Sequence, residues 1–250
     1  MASENVLHCA YICAIFGDRN PLINSEQFSQ SVALEHLRKL STFDDPRICE
    51  ALFVANTENS KLWGKVIDLS PNSASSSLVS ARLEFRPNYG FSYGAWAYGL
   101  DLLLENERLT HAFLIEDDYL PAKRLFINNF LTKASPGTGF VAQRTISRRG
   151  IAPRHAASSN GLIVLDAVRE SKRQLGATFI IFPFHLDRSK YLMGTENQIT
   201  FLSGLENCGY RIEDLSDTCS NQFFDSPTGK IIEFGNPEGE LPLRPWFPIT

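Results

Sequence analysis

The 250-residue sequence is short of several things that would otherwise fix its class. Its five cysteines, Cys9, Cys13, Cys49, Cys208 and Cys219, form no Cys-x-x-Cys pair and are odd in number, which argues against a disulfide framework or a thiolate metal site. Cys9 and Cys13 fall four apart on a predicted strand, roughly 13 Å at about 3.3 Å per residue, too far to bridge. A reducing, cytoplasmic setting is expected. Positive charge is also scarce: 24 Lys and Arg face 28 Asp and Glu, giving a formal charge of −4. That balance leaves no electrostatic footprint for nucleic acid or an anionic membrane, so a small partner is expected. No apolar run is long enough for a bilayer. The stretch from Val6 to Phe16 is interrupted by His8 and follows no basic segment, so it reads as a core strand rather than a targeting signal or transmembrane segment. Internal repeats and low-complexity segments are absent.

What is present is a hydrophobic share of 43%, enough to bury a sizeable core. Strand and helix signals alternate along the first half. Val6 to Phe16 is a strand, and Ser25 to Leu40 carries helical spacing through Phe28, Val32, Leu37 and Leu40. Ile48 to Ala55 and Ala81 to Phe85 are strands, Phe91 to Leu104 a helix, His111 to Ile115 a strand, and Pro121 to Leu131 a helix with proline at its start. That order predicts an α/β fold with a mostly parallel sheet flanked by helices, in one domain spanning residues 1–235. The second half is less regular. Gly139 to Thr145, Gly161 to Leu165 and Tyr210 to Leu215 read as strands, Asp166 to Leu175 and Glu196 to Glu206 as helices. Residues 236–250, with four prolines, exclude a helix or central strand and should run over the surface, anchored by Trp246 and Phe247.

Open parallel sheets bind ligands at the carboxyl ends of their strands. Here those ends offer "GDRN" from Gly17, "NTEN" from Asn56, "RPNYG" from Arg86 and, after the apolar run Ala112 to Ile115, the carboxylates Glu116, Asp117 and Asp118. An acidic cluster in the middle of such an edge suits a divalent cation held between carboxylates and phosphates, because Mg²⁺ takes oxygen ligands and usually shares them with substrate.

The segment "LEFRPNYGFSYGAWAYGLDLLL" followed by "HAFLIEDDYLP" resembles the nucleotide-binding half of GT-A (Rossmann-like) glycosyltransferases, particularly the large inverting family that uses nucleotide-diphosphate sugars. Asn88 and Gly90 match its Asn-x-Gly-type turn, and Glu116 to Asp118 its DxD-type metal motif. "MGTENQITFLSGLENCGYRI" is similar to its Gly-x-Glu-Asp helix, which ends in Gly-Tyr-Arg before a strand. The likeness covers roughly residues 6 to 215 and implies a nucleotide-binding half over 1–120 and an acceptor half over 121–235. It implies Mn²⁺ or Mg²⁺ bound by Glu116 and Asp118, with Asp117 assisting. Asp18, Arg19, Asn56, Glu58, Arg86, Asn88 and Gly90 would then contact a nucleotide-diphosphate sugar, and Glu196 would take the proton of a carbohydrate-like acceptor. Two positions depart from the pattern. Asn197 stands where the family commonly has its basic Asp, and no histidine follows His185 to serve as a C-terminal metal ligand. Water, Asp217 or Asp225 are the substitutes on offer.

Plainer readings apply to the same residues. Asp118 can cap the helix expected after it, Glu196 can be an acid favoured by a helix dipole, and "GDRN" can be an ordinary turn. The helix bearing Trp96, Tyr98, Leu100 and Leu103 is core packing, with Gly94 and Gly99 allowing close approach to the sheet. Arg144, Arg148, Arg149, Arg154 and His155 lie in or beside a polar loop that is either a solvated surface or a lid closing over a diphosphate. Two further functions stand beside sugar transfer. One is a non-catalytic nucleotide-sugar-binding protein, which Asn197 favours; the other is a sugar-phosphate nucleotidyltransferase, whose Gly-rich signature with a lysine "GDRNPLI" lacks.

Overall fold

The computed structural model describes residues 7–70, 78–121, 123–143, 145–146, 155–156, 160–177, 200–215, 221–225, 230–234 and 243–245. The first described strand lies in the middle of the main sheet. Strand β1 (Cys9–Phe16) is buried on both faces, as the near-continuous apolar run CAYICAIF requires of a parallel strand covered twice. Helix α1 (Ser25–Phe43) starts at Asn24, whose side chain accepts from the Gln27 amide, and leads to β2 (Ile48–Thr57). A short β3 (Val66–Asp68) precedes β4 (Ser80–Pro87), α2 (Phe91–Leu103) and β5 (His111–Glu116). Then come β6 (Tyr119–Pro121), α3 (Leu125–Lys133), β7 (Thr138–Ala142), the pair β8 (Thr145–Ile146) and β9 (His155–Ala156), β10 (Gly161–Val164) and α4 (Leu165–Leu175). A fifth helix, α5, covers residues 200–207 and precedes β11 (Arg211–Asp214). The chain closes with β12 (Asn221–Asp225), β13 (Lys230–Phe234) and β14 (Leu243–Pro245).

Eight strands form one sheet in the order β11-β7-β10-β5-β1-β2-β4-β3. β1 runs parallel to β2 and β5, β2 parallel to β4, and β7 parallel to β11. The α/β fold and mostly parallel sheet expected from the alternation are present. Alternate side chains of β1 feed two cores. Tyr11, Cys13 and Ile15 pack with Phe28, Val32 and Leu37 of α1 and Phe126 and Phe130 of α3. Ala10, Ile12 and Ala14 pack with Trp96 and Leu100 of α2, Val168 of α4 and Leu202 of α5. Helices therefore cover both faces.

Several expectations need correction. β10 is antiparallel to both β5 and β7, and β3 antiparallel to β4. β10 departs because the antiparallel pair β8–β9 lies between it and β7 in the chain, so the chain turns back on itself before reaching it. The helix expected from Pro121 begins at Leu125, because Pro121 is in β6, which pairs with β14 of the proline-rich tail. That tail thus adds a three-residue strand to a two-stranded ribbon, where prolines are tolerated. Trp246 and Phe247 lie outside the described residues. Cys9, Cys13, Cys49 and Cys208 are free thiols.

Candidate functional site

The chain leaves β1 toward β2 and β4 on one side, then returns through α2 to β5 on the other. The order of winding therefore reverses between β1 and β5, and a crevice opens at that switch point, beyond the carboxyl ends of the two strands. Ala14 pairs with Glu116 in the register, so Phe16 to Arg19 and Glu116 to Asp118 face each other across it. A cavity of about 250 Å³ lies there, lined by Arg19, Asn56, Ser92 and the acidic trio, with Phe16 and Phe91 adding apolar wall.

Each carboxylate is held differently. Glu116 has its backbone amide bound to Asn160 Oδ1 at 2.7 Å, and its Oε1 accepts from Ser92 Oγ at 2.8 Å. Asp117 is the buried member, its side chain 3% exposed. Its Oδ2 accepts from the Phe16 amide at 2.9 Å and its Oδ1 from Arg19 Nη2 at 2.7 Å. Asp118 is more open, with a side chain 36% exposed and Oδ2 at 3.6 Å from Arg19 Nη1. Its Oδ1 is shielded from solvent and has no hydrogen-bond partner among the described residues. Behind the turn, buried His36 places Nε2 at 3.3 Å from the Asp117 carbonyl oxygen and Nδ1 at 2.7 Å from the Tyr11 hydroxyl. Trp96 Nε1 donates to the Ile115 carbonyl at 3.1 Å and fixes the end of β5.

Among the described residues, Arg19 is the one guanidinium paired with this three-carboxylate turn. Burial, reinforced by Asp118, pushes the Glu116 carboxyl up to about 8. Burial also lifts Asp117 to about 6, against the pull of Arg19, and raises Asp118 in the same direction. Among the described residues, the turn is short of positive charge.

The other candidates divide. Arg19 and Asn56 line the cavity with the trio. Asp18 stands behind it: its Oδ1 accepts from Ser25 Oγ and, at 2.8 Å, from Thr57 Oγ1, while Oδ2 accepts from the Glu58 amide at 2.7 Å. Its side chain fastens β1 to β2 and α1, and Glu58 itself is exposed. Arg86 is turned inward, donating to Asn56 Oδ1 at 3.0 Å and to the Tyr89 carbonyl at 3.1 Å. Asn56 Nδ2 in turn donates to the Phe91 carbonyl at 2.9 Å, so Arg86 steadies a cavity residue rather than facing the cavity. Gly90, at φ 75, caps α2, and Asn88 Oδ1 is a shielded atom without a partner among the described residues. Gly94 belongs to this turn: a Cβ there would lie 1.8 Å from the Tyr89 carbonyl oxygen, whereas Gly99 is the glycine that approaches the sheet, at Ile12. Phe91 itself has φ 49, a left-handed conformation unusual for a bulky side chain and frequent at binding sites. Capping does not explain Asp118, because β6 separates it from α3, whose cap position is Arg124.

Glu196, Asn197, Asp217 and the loop arginines 144, 148, 149 and 154 lie outside the described residues; of His155 and Asp225 only the backbone is described. Ser92, Asn160, Phe91 and His36 were missed. Ser92 comes directly after the Asn-x-Gly turn and was open to notice. Asn160 and His36 reach the acidic turn from 44 and 81 residues away, a proximity that only the folded chain creates.

Among the described residues no three or more His, Cys, Asp and Glu side chains converge as a metal cage. A cation fits nonetheless as a shared one. Asp118 Oδ1 is an unused oxygen ligand, Glu116 is adjacent, and a hard divalent ion commonly completes its shell with a ligand's phosphates and water. No helix among the described residues is long and apolar enough to cross a membrane.

No family model matches the sequence, and no curated protein matches it. Solved structures with a similar chain path include Drosophila β1,4-galactosyltransferase 7 in complex with xylobiose, 9% identical, covering 83% of this chain and 65% of that one at a TM-score of 0.44. Glucosyl-3-phosphoglycerate synthase of Mycobacterium tuberculosis, in complex with Mn²⁺, uridine diphosphate and phosphoglyceric acid, is 13% identical over 96% of this chain and 89% of that one, at 0.40. A 4-diphosphocytidyl-2C-methyl-D-erythritol synthase from Anaerococcus prevotii is 8% identical over 84% and 86%, also at 0.40. This chain thus spans less than two thirds of the length of the galactosyltransferase. Similarities of this size carry no weight in assigning an activity.

Proposed function

We propose that the protein is a glycosyltransferase that takes a sugar from a nucleotide-diphosphate donor and passes it, with inversion, to a hydroxyl of a carbohydrate or glycoconjugate acceptor. The observation that carries this reading is Asp118 Oδ1, a shielded carboxylate oxygen without a partner among the described residues, in an acidic cavity at the sheet's switch point. Such an oxygen is costly to bury unless a cation completes it.

Glu116 and Asp118 would hold Mn²⁺ or Mg²⁺. That ion would supply Lewis-acid stabilisation of charge on the leaving diphosphate. Ser92, by donating to Glu116, fixes the carboxylate's orientation. Asn56, clamped by Arg86 and by the Phe91 carbonyl, presents a fixed polar side chain to the donor. Arg19 reaches the same cavity with a guanidinium able to pair with phosphate oxygens. Glu196 is assigned the acceptor's proton, since Asn197 beside it cannot take one at neutral pH.

A nucleotidyltransferase is the rival among enzymes and is disfavoured by the absence of a Gly-rich loop with a lysine after β1. A non-catalytic binder would keep the cavity and lack turnover. Incubation in Mn²⁺ with a panel of nucleotide sugars, and separately with nucleoside triphosphates plus sugar phosphates, separates the three: sugar transfer or donor hydrolysis to nucleoside diphosphate supports the proposal, release of pyrophosphate from the triphosphate mixture supports the rival, and a thermal shift without turnover supports the binder.

A further inference from the structure

Arg19 sits where the acidic turn most needs positive charge. One nitrogen of its guanidinium bonds Asp117 Oδ1 at 2.7 Å and the other stands 3.6 Å from Asp118 Oδ2. Among the described residues no other cation pairs with Glu116, Asp117 or Asp118. The two contacts are unequal. The Asp117 bond is short and joins a buried carboxylate, whereas the Asp118 contact is long and joins a carboxylate whose other oxygen has no partner among the described residues.

We infer that Arg19 is an exchangeable counter-ion: it holds the acidic turn while the cavity is empty, moves onto the phosphates of an arriving diphosphate, and so releases Asp118 to a divalent cation. This rests on the diphosphate reading of the cavity. The guanidinium is a flat fork that pairs two acceptors at once, and a diphosphate offers it the same geometry with more negative charge. A cation arriving alone meets a turn that Arg19 has partly neutralised. A diphosphate arriving alone draws Arg19 away and leaves three carboxylates unbalanced. Each ligand therefore removes what opposes the other, and the two bind cooperatively; the same linkage acts in both directions.

Arg19→Lys tests this, because it keeps the charge and loses the second prong of the fork. Titration calorimetry would measure the affinity of Mn²⁺ alone, and of Mn²⁺ with saturating uridine or guanosine diphosphate, for the wild type and R19K. With Asp118 released from its grip, R19K is expected to bind Mn²⁺ alone about fivefold or more tighter than the wild type, and the enhancement by diphosphate to shrink by a similar factor, within the usual range of coupling between sites. Equal Mn²⁺ affinity in the two proteins overturns the inference, since it means that charge alone, not the two-pronged contact, governs the turn. Arg19→Gln supplies a second reading: its gain in Mn²⁺ affinity should equal or exceed that of R19K, because it removes the charge as well as the second prong, and a gain confined to R19Q counts against the exchange. A wild type that binds Mn²⁺ but no diphosphate refutes the proposed function, while the Mn²⁺-only comparison still judges the grip of Arg19 on Asp118.

Discussion

Asp118 and Glu116 carry opposite consequences for stability and for binding. A carboxyl whose value rises on folding, as that of Glu116 does from 4.5 to about 8, binds its proton more tightly in the folded chain. Stability from that proton is present at low pH and is lost as pH climbs through that interval. Glu116→Gln removes the loss, so its melting temperature should exceed that of the metal-free wild type by a margin that widens from pH 5 to pH 8.5; a margin constant with pH would contradict the charge deficit. Asp118→Asn should leave the metal-free melting temperature equal or higher, since the oxygen it replaces has no partner among the described residues. The same substitution should lower transfer by about 100-fold or more, the scale of losing one group that stabilises charge in a transition state. His36 works the other way: burial drives it down to about 4, so it is neutral at pH 7 and its contribution fades as pH falls below 6.5.

The turn between β4 and α2 is the element on which the cavity's geometry depends. Arg86 is tied to Asn56 and Asn56 to the left-handed Phe91, and Gly94 admits the Tyr89 carbonyl against the helix. Gly94→Ala would place a methyl group 1.8 Å from that oxygen, against 2.9 Å from the movable Ile12 methyl for Gly99→Ala. Urea unfolding should show Gly94→Ala as the more damaging of the two, losing about 1–3 kcal/mol as overpacked sites do. Trp96→Ala, which empties a fully buried site and frees the Ile115 carbonyl, should cost about 3–5 kcal/mol. The sequence pattern found β1, β2 and β5 because each is dominated by an apolar run, and α1 because Phe28, Val32, Leu37 and Leu40 recur along one face. It placed α3 too early, because Pro121 is as acceptable at the end of an edge strand as at a helix start. The partner that decides the matter, β14, lies more than a hundred residues away. β3 escaped notice for a related reason: with two of its three residues exposed, it has no hydrophobic signature.

For the molecule as a whole, the doubly covered sheet was legible from the alternation of strands and helices, and the polar edge on which the candidate cavity lies from the residues at each strand's carboxyl end. The division of labour inside the site was not. Spacing brought Asp18, Arg19, Asn56, Arg86 and the acidic trio to one edge, but which of them face the cavity depends on side-chain hydrogen bonds, such as Asp18 to Thr57 and Arg86 to Asn56, that have no trace in sequence order. The most direct measurement is the melting temperature of the wild type and Asp118→Asn with Mn²⁺, with nucleoside diphosphates, and with both. A ligand at 100 times its dissociation constant stabilises the folded state by about 2.7 kcal/mol, or roughly 5–10 °C in a chain of this size. The account predicts a rise of that order for the wild type with Mn²⁺ and one of the diphosphates together, and its loss in Asp118→Asn. No rise with any nucleoside diphosphate, or an equal rise in both proteins, would contradict it.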